Sequence, residues 1–325
     1  MDYIDMHCDT LMQAFLGLKK DVYHLKKTMV DVERLKAGGA KAQFFAIFLP
    51  PLAYKAKLGP LLPSDDKYIE KLHKILMNTI EAHPNDLALA RSFTELEENK
   101  SAGKVSAVLT IEDGRAVEGD MAKLKRFYGM GVRLISLTWN APNCFGSPNS
   151  KDRAVMETGL TPFGKAAVEY MNELGMLIDV SHLSDGGFRD VAALSKRPFV
   201  ASHSNCRALS SHQRNLTDDM LRTLANAGGV AGLNFGPEFL NADLTCKDST
   251  VALLVQHARH MADVGGVDCV ALGSDFDGVS GNLEIDSTHK MPLLLDALEK
   301  AGFTPDEMEK IAYKNVERVM HDALN

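Results

Sequence analysis

The chain has 325 residues, of which 45% are hydrophobic and 24% are charged, proportions that are ordinary for a globular protein. Its formal net charge of -7 argues against a nucleic-acid-binding protein, because such proteins carry basic surfaces. No stretch approaches the ~20 consecutive apolar residues that a membrane-spanning helix needs, so we expect no membrane partner.

Eight short apolar runs rich in β-branched residues recur along the chain, and amphipathic helical segments separate them. Runs that are apolar on both faces predict the strands of a parallel sheet, which other elements cover on both sides. In chain order, we predict strands over 3–6, 42–48, 105–111, 132–137, 176–180, 198–201, 229–233 and 269–273.

The intervening helices have recognisable ends. Thr161, followed by proline, predicts a helix N-terminus, and Gly175 predicts the end of that helix just before a strand. Thr304, with Glu307 three residues later, predicts a capping box. Thr94 is predicted to open another helix in the same way.

Eight strands alternating with helices predict a closed (β/α)8 barrel, the TIM-barrel fold of the α/β class, with an open doubly wound sheet as the alternative. The count of eight and the residues at the strand ends favour the barrel. We expect one metallohydrolase domain over residues 1–325. The proline-rich segment 49–65 is predicted to form a loop over the barrel mouth.

The cysteines and the N-terminus bear on the cellular compartment. The five cysteines lack Cys-x-x-Cys spacing, which fits reduced thiols better than a disulfide framework or a cysteine metal site. The first predicted strand begins almost at Met1, where the basic-then-apolar pattern of an export peptide is absent. We therefore expect a cytoplasmic protein.

Reactive side chains follow several of the predicted strands. In an α/β barrel such residues lie at the carboxyl ends of the strands, where the loops converge on one face. Strand 1 ends in His7 and Asp9, which alternation places on the same side. Four further strand ends offer a carboxylate or a histidine: Glu112 after strand 3, His182 after strand 5, His203 after strand 6 and Asp275 after strand 8.

Taken singly, each of these residues has a common structural interpretation, such as a helix cap, a buried core histidine or a turn. Taken together, three histidines and three carboxylates on one rim form a donor set suited to Zn²⁺, with Mn²⁺ or Fe²⁺ as alternatives. One tetrahedral ion needs fewer ligands. We therefore infer two metal ions with Glu112 as a bridging carboxylate.

The order of these motifs resembles that of the membrane (renal-type) dipeptidase family over essentially the whole chain. The family features are His-x-Asp on strand 1, Ile-Glu followed by glycine on strand 3 and Ser-His after strands 5 and 6. They continue with Arg-Asn at Arg214 and Asn215 and with Asp-Phe-Asp-Gly beginning at Asp275. The resemblance implies an amidohydrolase-type metal barrel.

The resemblance also implies roles for the matching residues. One zinc ion would be held by His7, Asp9 and Glu112. The other zinc ion would be held by Glu112, His182 and His203. Arg214 would bind the C-terminal carboxylate of a dipeptide substrate, and Asp275 would act at the reacting centre. A C-terminal D-residue would be accepted, and the enzyme would form a homodimer.

Two positions depart from the family pattern. Kidney-type members have a histidine after strand 4 that contacts the substrate carbonyl, whereas this chain has Trp139 there, followed by Asn140. An indole N–H donates one hydrogen bond but cannot exchange a proton as imidazole does. We therefore expect Trp139 and Asn140 to contact the substrate in an altered way. Asp113 stands where glycine is usual, directly after Glu112.

The resulting hypothesis is peptide hydrolysis by a hydroxide that two metal ions generate from a shared water. Asp275 would accept the proton of the water and pass it to the leaving amine. Arg214 suits a carboxylate because a planar guanidinium donates two parallel hydrogen bonds.

Two alternatives stay open. Another binuclear amidohydrolase, such as a lactonase or a cyclic-amide hydrolase, often bridges its metals with a carbamylated lysine after strand 4, and residues 132–149 contain no lysine. A non-catalytic metal- or peptide-binding barrel is the second alternative, and the intact ligand set together with Asp275 argues against it.

Overall fold

Eight parallel strands form a closed barrel in the computed structural model, which describes residues 1–51, 53–54 and 62–324. The strands are β1 (Tyr3–Cys8), β2 (Ala40–Phe48), β3 (Val105–Glu112), β4 (Val132–Ser136), β5 (Leu177–Asp179), β6 (Val200–Ala201), β7 (Val230–Leu233) and β8 (Val270–Leu272). Each strand overlaps one predicted run, so the predicted (β/α)8 barrel is confirmed and the open sheet is excluded.

The barrel closes because its first and last strands pair and each strand is bonded to two neighbours. β2 and β3 pair over seven positions, from Ala42 opposite Ser106 to Phe48 opposite Glu112. β8 meets β1 at Leu272 and Asp5. Since all eight strands run in the same direction, their carboxyl ends share one rim, where the loops that follow them converge.

Within the described residues, three short strands lie outside the barrel. Leu87–Leu89 pairs with the first half of β3, whereas β4 pairs with the second half of the same edge. The sequence pattern does not predict this strand, because three residues are too few to show a period. Asn282–Leu283 and Asp248–Ser249 pair with each other in a separate two-stranded sheet.

Helices cover the outside of the barrel. The α-helices are α1 (Thr10–Leu16), α2 (Val32–Gly38), α3 (Asp65–Ala82), α4 (Phe93–Ser101), α5 (Met121–Gly129), α6 (Arg153–Met156), α7 (Pro162–Leu174), α8 (Asp185–Leu194), α9 (Asp218–Asn226), α10 (Pro237–Leu240), α11 (Val251–Gly265), α12 (Pro292–Lys300), α13 (Pro305–Glu309) and α14 (Asn315–Ala323). Short 3-10 turns occur at Gly114–Val117, Val267–Cys269 and Thr288–Lys290, and a π-helical turn occurs at Lys310–Lys314.

Most of the predicted helix ends are confirmed. The Thr161 side chain accepts a hydrogen bond from the Gly164 N–H at the start of α7, and the helix ends at Gly175 in the left-handed conformation. Thr304 forms the expected capping box. The prediction for Thr94 was wrong, because α4 begins one residue earlier and Ser92 caps it.

One apolar cluster fills the interior of the barrel. It contains at least one side chain from every barrel strand, together with the apolar face of α14 and a few neighbours; the strand residues are Ile4, Met6, Ala42, Phe44, Val108, Leu134, Leu177, Val200, Val230 and Ala271. A second and larger cluster lies between the strands and the surrounding helices. The two layers hold the strand ends in fixed positions, which the rim residues need.

The segment predicted to cover the barrel mouth lies partly outside the described residues, at 52 and 55–61. Among its described residues, Pro50 and Tyr54 line a cavity at the rim. All five cysteines are free thiols. Among the helices of the described chain, none combines the length and the apolar character that a bilayer span requires.

Candidate active site

The predicted ligands meet at the carboxyl rim of the barrel around the Glu112 carboxylate. Its Oε2 lies 3.5 Å from His7 Nε2. Its Oε1 lies 3.0 Å from His182 Nε2 and 3.4 Å from His203 Nε2. The two oxygens of one carboxylate therefore face different histidines, which is the arrangement that a bridging ligand needs.

The two aspartates complete the cluster on the side of His7. His7 Nε2 lies 3.9 Å from Asp9 Oδ1 and 3.8 Å from Asp275 Oδ1. Two groups of three donor atoms lie within 4.8 Å of one another: His7, Glu112 and His203, and His7, Asp9 and Asp275. The predicted ligands are thus brought together on one rim.

The donor atoms are buried, and two of them have no partner in the part of the chain that the structure describes. His7 Nε2 and Asp9 Oδ1 are inaccessible to solvent and form no hydrogen bond. Orphaned buried polar atoms are rare in folded proteins, because each costs the free energy of desolvation. A nitrogen and oxygen donor set with unfilled positions fits a divalent cation such as zinc.

Burial keeps two of the histidines neutral, as metal ligands must be. Desolvation lowers the pKa of His182 to about 4 and the pKa of His203 well below its ordinary range. For His7, burial also disfavours the charged form, but the neighbouring Glu112 and Asp9 carboxylates outweigh it and raise the pKa. The negative charge at this rim is therefore concentrated around His7.

Asp275 has the properties of an acid–base group. Burial raises its pKa to about 7, and the nearby Asp9 and Glu112 carboxylates act in the same direction. Asn234 Nδ2 donates to Asp275 Oδ2 at 2.8 Å, which leaves Oδ1 facing the metal-ligand cluster. A carboxyl group with a pKa near neutrality can both accept and donate a proton at physiological pH.

Two of the rim residues adopt a backbone conformation that is unusual for non-glycine residues. His182 has φ 68° and Asp275 has φ 61°. The left-handed region costs an L-residue roughly 1–2 kcal/mol, so it persists only where the surrounding structure enforces it. Here it turns the chain sharply after β5 and after β8, which directs both side chains toward Glu112.

Two adjoining cavities open above this cluster, each of about 450 Å³. They share four lining residues: Asn140, His182, Glu238 and Phe239. The first cavity contains the carboxylates and an apolar wall formed by Met12, Leu16, Phe48, Tyr54 and Trp139. The second contains the basic residues Lys151, His212 and Arg214.

The model of the membrane dipeptidase family (peptidase family M19) matches residues 1–325. The chain belongs to this family. It is therefore a metallopeptidase of the dipeptidase type, a hydrolase that acts on peptide bonds. The resemblance inferred from the motifs is confirmed.

Two curated proteins are similar to the chain over most of its length. A protein of the pqqA 5′ region of Klebsiella pneumoniae is 36% identical over 253 residues, which cover 76% of this chain and 92% of that protein. The dipeptidase verJ of Clonostachys rogersoniana is 29% identical over 304 residues, which cover 92% of this chain and 77% of that protein.

Solved structures of the family share the fold. The dipeptidase AC metallopeptidase superposes with a TM-score of 0.88 at 27% identity, covering 100% of this chain and 99% of that one. A metallopeptidase from Rhodobacter sphaeroides, bound to a phosphinate mimic of the dipeptide L-Ala-D-Ala, superposes with a TM-score of 0.87 at 27% identity, and 99% of each chain is covered.

In this member of the membrane dipeptidase family, the residues predicted to bind substrate lie around the predicted metal-ligating residues. Arg214 is buried; its Nη1 donates to Ser204 Oγ at 3.0 Å and its Nη2 donates to the His203 carbonyl at 3.1 Å. Its Nε is buried without a partner among the described residues. Two of the five N–H donors of Arg214 thus hold the side chain beside the second cavity.

Trp139 lines the first cavity, and Asn140 lines both cavities. The Trp139 ring packs edge-on against Phe48, with ring centroids 5.0 Å apart, and faces the first cavity. Asn140 Oδ1 lies 3.1 Å from His182 Nδ1. Because a carbonyl oxygen only accepts, Nδ1 is the donor, and His182 keeps the lone pair of Nε2 toward Glu112.

Sequence reasoning did not single out three buried polar residues that support the site: Asp5, Asp179 and Asn234. All three are fully buried, and each bonds a residue next to or within the ligand set. A carboxylate inside an otherwise apolar strand is unusual, because burying a charge without partners is expensive. An aspartate within the apolar runs of β1 and β5 was therefore the feature of the sequence that could have indicated Asp5 and Asp179.

Proposed function

We propose that the protein hydrolyses dipeptides with two zinc ions, held by His7, Asp9 and Glu112 on one side and by Glu112, His182 and His203 on the other. The observation that carries this proposal is the Glu112 carboxylate, with one oxygen toward His7 and the other toward His182 and His203. When bound, such ions lower the pKa of water toward neutrality and polarise the carbonyl of the scissile bond.

The distribution of charge around the cleft supports one orientation of a zwitterionic dipeptide. The second cavity presents Arg214 and Lys151, with Glu238 as the acidic residue at the boundary. The free Nε donor of Arg214 suits the C-terminal carboxylate of the substrate. The scissile bond then lies near His182, which both cavities share, and the N-terminal residue extends into the first cavity.

The apolar wall of the first cavity supports binding of the N-terminal side chain. Phe48, Trp139 and Tyr54 offer ring surfaces that an apolar side chain can cover. The mimic bound to the Rhodobacter sphaeroides relative carries a D-residue at its C-terminus. We propose that this protein also accepts a C-terminal D-residue, because the second cavity, at about 450 Å³, is roomy around Arg214.

Asp275 handles the proton in this proposal. Its carboxyl oxygen Oδ1 faces the cluster at 3.8 Å from His7 Nε2, while Asn234 fixes Oδ2. Asp275 takes a proton from the attacking water and then donates it to the nitrogen of the leaving amine. Its raised pKa suits both steps, since a base that is too weakly basic accepts no proton and one that is too strongly basic does not release it.

The test is the Asp275→Asn variant, measured with a library of L-Xaa-L-Yaa and L-Xaa-D-Yaa dipeptides and by elemental analysis. We expect turnover to fall by ~10²-fold or more while the metal content stays at the wild-type value, because the amide cannot exchange a proton. Near-normal turnover of the variant would refute the role of Asp275. A wild-type enzyme that cleaves no dipeptide with its metal sites filled would refute the proposed function.

Arg214→Gln tests the orientation of the substrate. The Michaelis constant for free dipeptides should rise ~10²-fold, as expected when a charge-assisted contact to the carboxylate is lost, while C-terminally amidated dipeptides should be affected little. Arg214→Lys is the matched control, since it keeps the charge but loses the fork. Equal losses for free and amidated substrates would argue against carboxylate binding.

We propose a homodimer, which sedimentation velocity would detect. We also propose a cytoplasmic location, which the five free thiols support because they need no oxidising environment.

A further inference from the structure

Asp179 sits at the end of β5, next to the ligand set but outside it. Its side chain is fully buried and accepts four hydrogen bonds. Oδ1 accepts from the N–H groups of Ser181 and Ser202, each at 2.9 Å. Oδ2 accepts from the hydroxyls of Ser136 at 2.5 Å and Ser202 at 2.6 Å. Four donors fill the lone pairs of a carboxylate, so Asp179 acts only as an acceptor here.

These bonds fix the direction of a hydrogen-bond chain that ends at His203. Ser202 has one hydroxyl proton, and Asp179 Oδ2 receives it. Ser202 Oγ also lies 2.7 Å from His203 Nδ1, so it must accept a hydrogen from that nitrogen. His203 is then protonated on Nδ1, and the lone pair of its Nε2 points at Glu112 Oε1, 3.4 Å away.

The backbone of Ser202 is also closely packed, which keeps its hydroxyl in place between Asp179 and His203. The Ser202 carbonyl oxygen lies against the backbone of Gly232 in β7 and of Gly273, which directly follows β8. A Cβ atom added to Gly232 would lie 2.0 Å from that oxygen, and one added to Gly273 would lie 1.8 Å from it. The two glycines therefore permit this close approach.

The same construction occurs on the other side of the barrel. Asp5 in β1 accepts from the N–H of Ser274 at 2.7 Å and from its hydroxyl at 2.6 Å. Ser274 directly precedes Asp275, just as Ser202 directly precedes His203. In both places a buried aspartate of one strand holds the serine that comes before a site residue of the neighbouring strand.

We propose that Asp179 is a positioning residue that, through Ser202, holds His203 in the Nδ1-protonated form and thereby makes its Nε2 available to a divalent cation. The inference rests on the metal site of the proposed function but not on dipeptide cleavage. A purely structural aspartate would tie β5 to β6 without any effect on which nitrogen of His203 carries the proton.

The decisive variant is Asp179→Asn, which keeps size and shape. The amide oxygen should stay with the two N–H groups, which cannot reorient, so the amide nitrogen donates to Ser202 Oγ. The Ser202 proton then points at His203 Nδ1, and the histidine proton moves to Nε2. We expect one cation to bind as in the wild type and the other to bind ~10- to 100-fold more weakly, the scale of lost support for a metal-bound histidine.

Two readouts test this without substrate. Competition with a chelator measures the affinity for each of two Co²⁺ or Zn²⁺ ions. Long-range ¹⁵N–¹H correlation spectra of the metal-free protein report which nitrogen of His203 is protonated. We expect Nδ1 in the wild type and Nε2 in Asp179→Asn, and Ser202→Ala should weaken the same cation by leaving Nδ1 without an acceptor.

Ser136→Ala is the matched control, because it removes one donor to Asp179 but leaves the Ser202–His203 bond intact. It should bind both ions with wild-type affinity. The proposal is overturned if folded Asp179→Asn keeps both affinities and the Nδ1 proton, or if Ser136→Ala loses as much affinity as Asp179→Asn. If Asp179→Asn does not fold, wild-type affinities in Ser202→Ala overturn it instead.

Discussion

The two ends of the barrel both bury charged side chains, but they treat them differently. At the amino end, Lys41 is 5% exposed and bonds Glu97, with its Nζ 2.6 Å from Oε1, as well as Glu317. Nearby, Lys100 pairs with Asp2 at 3.4 Å. The buried cation of this end therefore has its partners within the chain.

At the carboxyl end, three carboxylates share one small volume: Asp9, Glu112 and Asp275. Burial raises the pKa of Asp9 to about 6, and the nearby Glu112 carboxylate acts in the same direction. Three buried polar atoms at this rim lack partners among the described residues, namely His7 Nε2, Asp9 Oδ1 and Arg214 Nε. A protein interior tolerates such groups only where something else binds them.

This contrast indicates that the amino end contributes to stability and the carboxyl end to binding. Pairing at Lys41 leaves no buried charge without a partner there, whereas the unfilled donors at the rim cost free energy until cations and substrate bind. Changes at the rim should therefore alter activity and ligand-dependent stability, and changes at the amino end should alter stability alone.

The largest effect is expected from Glu112→Gln. An amide offers one acceptor where the carboxylate offers two charged oxygens, so the shared ligand is lost. Activity should fall by roughly 10³-fold or more, the scale of losing a central electrostatic group of an active site, and the metal content should drop below two ions per chain. Wild-type metal content in this variant would contradict the bridging role.

The next effect is a pH dependence of the stability of the metal-free protein. The folded-state pKa of Asp275 is about 7, above the value of about 4 in an unfolded chain. Between these values the folded state holds the extra proton, so the free energy of unfolding falls as the pH rises from about 4 to about 7. We expect a loss of about 3 kcal/mol, measured by urea unfolding in chelator.

Asp275→Asn is the variant that isolates this effect. Because the amide does not titrate, the metal-free variant should match the wild type near pH 5 and be more stable than it at pH 8. If the stability difference between the variant and the wild type stays constant with pH, ionisation of the Asp275 carboxyl group does not destabilise the metal-free fold. Lys41 variants serve as the control, and they should change the free energy of unfolding by the same amount at pH 5 and at pH 8.

At the amino end, Lys41→Ala should destabilise the protein by about 2 kcal/mol. Breaking a buried ion pair costs roughly 3–5 kcal/mol, and Glu97 is half exposed here, so it regains solvent and lowers the cost. The double variant Lys41→Met with Glu317→Gln should recover part of the loss, since no unpaired charge remains. Dipeptide turnover should stay at the wild-type value in both, and a fall would contradict the separation of the two ends.

The barrel and the clustering of the predicted ligands on one rim could be predicted from sequence because both follow simple rules. A buried parallel strand is apolar on both faces, and a residue at its end, such as Glu112, or just past it, such as His203, lies on the shared rim whatever the loops do. The burial of His7 beside Glu112 then follows from the closure of the barrel. No detailed side-chain geometry was needed for either inference.

What could not be predicted depends on neighbours distant in sequence or on very short elements. The pairing of Leu87–Leu89 with β3 involves three residues, and both Ser92 and Thr94 are plausible caps in sequence. The left-handed turn at His182 has no residue-type indication, since glycine is absent there. The hydrogen bonds of Asn140 and Asp179 to residues of neighbouring strands and loops exist only after folding.

The smallest effect concerns Trp139, which stands where the family resemblance predicts a histidine. It lies on the apolar wall, edge-on to Phe48, and 6.0 Å separates its ring from that of His182. A wall residue should act on binding, so Trp139→Ala should raise the Michaelis constant about 10-fold for dipeptides with N-terminal Leu or Phe, equivalent to about 1.4 kcal/mol. Substrates with N-terminal Ala should change little.

Phe48→Ala provides the matched control, since Phe48 lines the same cavity and contacts the indole. If Trp139 acts as a wall, both variants should shift the preference from large to small N-terminal residues while kcat stays within about threefold. If the indole N–H instead stabilises the developing oxyanion, Trp139→Ala should lower kcat for every dipeptide by about 10²-fold, and Phe48→Ala should not. The two results distinguish a specificity residue from a catalytic one. A loss of oxyanion stabilisation should be the same for every N-terminal side chain, whereas a loss of the apolar wall should depend on the size of that side chain.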